Sequence, residues 1–60
     1  MPDYPVGTKL LHVESGIEGV VVVNFKLLGD VCVDWKNGFS TSYDAEILNA
    51  SCEIINEVEE

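Results

Sequence analysis

The apolar positions of this chain fall in short runs broken by glycine, a pattern of strands and not of long helices. "TKLLHVE", after the turn-like "PVG", predicts a first strand, and "ESGIEG" carries two glycines three apart that reverse the chain. "VVVVNF" is a β-branched run bounded by Gly19, and "KLLGD" reads as a connection despite its two leucines. "VCVDW" alternates, with Val31, Val33 and Trp35 on one side and Cys32 and Asp34 on the other. "FSTSY" is thin and polar, suited to an edge. "DAEIL" predicts one helical turn capped by Asp44, and "NASCEII" a last strand.

Asn37-Gly38 is the strongest hairpin signal. A two-residue mirror-image turn needs positive φ at both positions, which Asn and Gly tolerate. That turn sets Lys36 opposite Phe39, Trp35 opposite Ser40 and Asp34 opposite Thr41. Trp35 then shares a face with Ser40 and Ser42, while Phe39, Thr41 and Tyr43 share the other, so the three rings converge only if a bulge shifts the register. The valine run poses a second question, because a small barrel has one inner face. With Val21, Val23 and Phe25 inward, Val20 and Val22 point outward beside Cys32. Either the Leu27-Leu28 loop folds back over that patch or the patch is a protein interface.

Five short strands with turn signals at even spacing, and one short helical turn before the last, predict an all-β, closed or nearly closed barrel. The barrel spans residues 6–55, after an N-terminal extension (1–5) and before an acidic tail (56–60). Sixty residues allow one domain, which buries only about 60% of the surface its unfolded chain exposes.

Charge narrows the function. Eleven acidic residues against Lys9, Lys26 and Lys36 give a net charge of −8. Phosphate backbones are gripped by Lys and Arg, so direct nucleic-acid binding is disfavoured. The acidity serves solubility, complements a basic partner, or imitates nucleic-acid phosphates. No basic start followed by an apolar run marks a signal peptide, and "GVVVV" is too short to span a membrane, so a cytoplasmic location is expected. Two thiols, Cys32 and Cys52, and the single His12 are too few for a metal site, and no cofactor is implied. His12 with Glu14 reads as a surface pair, phosphate- and dinucleotide-binding glycine patterns are absent, and no enzyme activity is expected.

"GIEGVVVV" followed by "GDVCVDWKNGFSTSYDAEIL" resembles the Src-homology-3-like small β-barrel superfamily, especially its Tudor-like and KOW-like branches. Gly16, Gly19, Val21, Val31, Val33, Trp35, Asn37, Gly38, Tyr43 and Leu48 occupy matching places over about residues 6–55. The resemblance implies a five-stranded barrel that binds proline-rich peptides, methylated side chains, RNA or protein partners; the fold does not choose among them. The acidity departs from the basic KOW-type domains.

These residues together point to a non-enzymatic protein-interaction module, a small adaptor or inhibitor of bacterial or phage type. Its candidate contact residues are Val20, Val22, Cys32, Trp35, Phe39 and Tyr43. Its candidate acidic surface is Asp30, Asp34, Asp44 and Glu46, joined by Glu57, Glu59 and Glu60 of the tail. The expected partner is a protein basic at its contact site, with a homodimer as another arrangement. The competing readings are a KOW-like nucleic-acid-associated barrel and an acidic mimic that blocks a nucleic-acid-binding protein.

Overall fold

The computed structural model describes residues 4–56; residues 57–60 of the expected tail and residues 1–3 of the extension lie outside them. Five antiparallel strands form one sheet: β1 (Lys9–His12), β2 (Glu18–Phe25), β3 (Asp30–Trp35), β4 (Ser40–Asp44) and β5 (Cys52–Asn56). Their order is β4-β3-β2-β1-β5, with α1 (Ala45–Ser51) between the last two strands. The expected all-β, five-stranded architecture with a helical element before the last strand is present, curled into a half-barrel whose edges are β4 and β5.

The helical element is longer than one turn. It runs seven residues to Ser51, so β5 begins at Cys52 and not within "NAS". Asp44 holds the N-cap position with extended backbone (φ −62°, ψ 142°), but its side chain makes no capping hydrogen bond, contrary to expectation. Leu48 is the buried residue of α1 and packs into the core.

The valine run is resolved by a bulge. Val21 pairs with Val33, but Val23 pairs with Cys32, so Val22 is an extra residue on β2. A one-residue slip moves every later side chain to the opposite face. Val21 is therefore fully buried, whereas Val23 and Phe25, expected inward, stand 39% and 48% exposed. Asn24 takes the inner position opposite Val31. Its amide Nδ2 donates to the carbonyl of Tyr4 at 2.8 Å, holding that residue in the left-handed region at φ 47°.

Tyr4, placed by the sequence pattern in an extension, is thus the aromatic of the core. It packs with Leu10, Val21, Val31, Val33, Leu48 and Cys52. Residues 7 and 8 continue the pairing of β1 with β2: Gly7 N–H donates to Val21 C=O (2.8 Å) and Val21 N–H to Thr8 C=O (2.9 Å). Buried Thr8 satisfies its hydroxyl by donating to Pro5 C=O at 2.7 Å. Among the described residues no helix is long and apolar enough to cross a membrane.

Candidate functional site: an aromatic cleft beside an edge strand

The β3–β4 hairpin decides where the aromatic rings go. Its register pairs Asp34 with Ser40, Val33 with Thr41 and Val31 with Tyr43, one residue away from the register a two-residue turn imposes. Trp35 N–H donates to Phe39 C=O (2.7 Å) and Gly38 N–H to Trp35 C=O (3.0 Å), leaving a three-residue loop. Gly38 sits at φ +93° while Asn37 does not enter the positive region. This is a type I turn followed by a glycine bulge and not the mirror-image turn. Asn37 contributes through its side chain instead, its Oδ1 accepting the Phe39 N–H at 3.2 Å.

That single-residue shift turns β4 over. Phe39, Thr41 and Tyr43 now share the inner face with Trp35, so the separation of the rings expected from the sequence is overturned. The three aromatics converge on one open cleft of about 230 Å³, whose other walls are His12, Ser15, Ile17, Asn37 and Thr41. The Trp35 indole N–H donates to Thr41 Oγ1 at 2.6 Å, fixing the ring across the hairpin. Gly19 lies opposite Trp35 on β2 and leaves room for the indole. Phe39 is 68% exposed at the mouth, while Tyr43 and Trp35 are partly buried against the core.

The sequence placed His12 in a surface pair with Glu14 and not among the contact residues. β1 ends at His12, so Glu14 lies in the following turn, and the expected same-face strand pair with it does not form. The turn is tight: Gly16 N–H donates to His12 C=O (2.7 Å) and His12 N–H to Ile17 C=O (2.9 Å). It brings Ser15 Oγ to 2.8 Å from His12 Nδ1, and the Ser15 backbone N–H donates to the same nitrogen at 3.3 Å. A backbone N–H only donates, so Nδ1 is the unprotonated nitrogen and Nε2 carries the hydrogen. The imidazole meets Trp35 edge-on, with centroids 6.0 Å apart and planes at 84°. The Ser15-Gly16 turn was the signal available for this residue, because it folds the end of β1 back beside the hairpin.

The remaining candidate contact residues lie on the other face. Val20, paired with Asp34, and Cys32, paired with Val23 and Ser42, are half-buried on the outer side of the sheet; Val22 is exposed at the bulge. The Leu27-Leu28 loop does not cover them. Leu28 and Gly29 N–H both donate to Phe25 C=O, closing a tight turn that leaves both leucines in solvent. Asp30, Asp34 and Asp44 share this outer face, where Asp34 accepts a hydrogen bond from the Ser40 hydroxyl, and Glu46 is exposed on α1. Lys36 reaches Glu18 at 3.8 Å, an exposed pair of small worth.

Chemically the cleft offers aromatic faces, one imidazole N–H and small hydroxyls. Among the described residues no group of three or more His, Cys, Asp and Glu gathers to hold a metal ion. Burial pushes the Cys52 thiol above its ordinary range, and burial followed by the nearby Cys52 charge does the same for Tyr4. Both belong to the core and not to the cleft. Comparisons with protein-family models, curated proteins and solved structures find no match to this chain.

Proposed function

We propose that this chain is a non-enzymatic protein-interaction domain of the Src-homology-3-like kind, a small cytoplasmic adaptor or inhibitor that engages a partner protein basic at its contact site. The observation that carries this reading is the convergence of Trp35, Phe39 and Tyr43 with His12 on one open cleft in a chain of net charge −8. Aromatic faces attract cations through the ring quadrupole, and the acidic field raises the encounter rate with a basic segment. The superfamily reading is supported by the five-stranded curled sheet, the glycine-bounded second strand, Trp35 at the end of β3 and Leu48 in the helix before β5.

The test is a titration followed by Trp35 fluorescence, with short lysine-rich peptides, matched glutamate-rich peptides, and single- and double-stranded nucleic acid. The reading expects a response to the basic peptides that Phe39→Ala weakens at least several-fold without unfolding the domain. Tight nucleic-acid binding that fades steeply with salt would instead establish the KOW-like alternative. A second reading rests on the outer face, where the bulge exposes Val22 and Val23 and the Leu27-Leu28 turn leaves them uncovered. It makes that strand the protein contact, with Asp30, Asp34 and Asp44 around it.

A further inference from the structure

We infer that β4 is a docking edge, and that the partner segment binds there as an added, sixth strand with cationic side chains at alternate positions. This rests on the reading of the domain as a binder of basic protein segments and specifies how such a segment is held.

The edge follows from the hairpin register. The Trp35 N–H to Phe39 C=O bond makes Trp35 and Phe39 a hydrogen-bonded pair, and antiparallel ladders alternate. Val33 with Thr41 and Val31 with Tyr43 are then hydrogen-bonded pairs too, and Ala45 N–H donating to Gly29 C=O at 3.2 Å continues the alternation. The backbone N–H and C=O groups of Ser40 and Ser42 consequently point away from β3. Among the described residues no strand of the sheet lies beyond them.

Natural edge strands are usually blunted by proline, lysine, a bulge or a covering element. β4, "STSYD", has neither proline nor lysine, and its pairing with β3 is regular throughout, unlike the β1–β5 and β2–β3 ladders, which both carry irregularities. Ser40, Ser42 and Asp44 are exposed. An incoming strand aligns its alternate side chains with those of β4. One set extends over Phe39, Thr41 and Tyr43 at the cleft. The other set lies beside Ser40, Ser42 and Asp44, with Asp34 one strand further in. The basic residue nearest the hairpin, Lys36, lies at its tip against Glu18. Charge therefore selects a basic segment over a second copy of this acidic chain.

The probe is an eight-residue peptide alternating lysine and valine, with capped termini, added to the intact protein. Amide hydrogen exchange is read by NMR alongside Trp35 fluorescence, and a version N-methylated at alternate backbone amides serves as the control. The inference expects exchange at Ser40 and Ser42 to slow at least tenfold on saturation, with β5 amides unchanged. One N-methylation frame should lose at least tenfold in affinity and the other little. If Trp35 responds but both frames bind equally and Ser40 and Ser42 stay unprotected, the edge inference is overturned while the cleft reading stands. If no basic peptide moves Trp35 or these amides, both fall. Should Ser40 and Ser42 already be protected in the free protein, at a dimer's mass in sedimentation, a second copy holds the edge and the inference fails.

Discussion

The benzene ring of the Trp35 indole occupies the space where any residue other than glycine at position 19 would carry its Cβ. Cε3 and Cζ3 of Trp35 stand 2.6 and 2.9 Å from that point, and Val33 Cγ1 stands 2.7 Å away. These neighbours are a ring fixed through its N–H and a fully buried valine, so neither yields cheaply. Gly19→Ala is therefore expected to destabilise the domain by about 1–3 kcal/mol, the usual cost of overpacking. Urea unfolding reads the loss. The Trp35 emission of the folded variant should also shift red as the ring is displaced toward solvent. An unchanged midpoint and spectrum would show that the cross-strand contact does not set the ring's position.

Gly38 is required for a different reason. Nothing lies within 4 Å of a Cβ built there, yet its φ is +93°. Space is free and only the backbone conformation excludes L side chains, at about 1–2 kcal/mol per residue. Gly38→Val should lower stability by at least that much, since branching at Cβ adds to the strain. A chemically synthesised chain with D-alanine at position 38 should instead gain about 0.4–1 kcal/mol, because the unfolded ensemble loses freedom while the folded turn is undisturbed. Thermal melts of the two variants should move in opposite directions.

These two glycines also show how far the sequence was legible. The strand runs, the buried row of Val31 and Val33 and the helical element ending in a buried Leu48 follow from pattern and turn chemistry. Two one-residue events do not. Asn-Gly suits both a two-residue turn and the turn of a three-residue loop, and the choice inverts every side chain of β4. "VVVV" has no period, so nothing in it marks the bulge at Val22 that sends Asn24 inward and Phe25 outward. Tyr4 enters the core through that change, because the inward Asn24 supplies a donor to its carbonyl. The aromatic cleft depended on a register that composition and spacing left open.

Core burial has a consequence at alkaline pH. Cys52 and Tyr4 both have folded-state values raised above their unfolded ones, by burial first and, for Tyr4, by the Cys52 charge second. Between the unfolded and folded values the unfolded chain has lost the proton and the native state keeps it, so stability falls as pH rises. The contribution is fully present below the unfolded values, about 8.5 for a thiol and about 10 for a phenol. The urea midpoint should therefore hold steady just above neutrality and decline from the thiol range upward. Tyr4→Phe should flatten the upper part of that decline and leave the lower part in place. A midpoint that rises with pH through this window would contradict the burial of both groups.

The last prediction separates the β4 edge from the bulge on β2. Asp34 and Asp44 lie on the outer side of the strands that build the cleft, next to the free edge, whereas Val22 projects from the bulge on β2. Charges near a binding edge act mainly on encounter, so their effect appears in the association rate and weakens as salt rises. Asp34→Lys and Asp44→Lys should each slow association with a basic peptide several-fold at low ionic strength, and the difference from the parent chain should shrink at about 0.5 M salt, where screening is strong. The two dissociation rates should change less, because neither carboxylate lines the cleft. Val22→Glu, on the far side of β3, should leave both rates close to those of the parent. Stopped-flow mixing with Trp35 as the reporter measures all three variants under identical conditions. If Val22→Glu alone abolishes binding, and both lysine substitutions are silent at every salt concentration, the acidic rim contributes only solubility. The outer valine strand would then be the surface on which the partner sits.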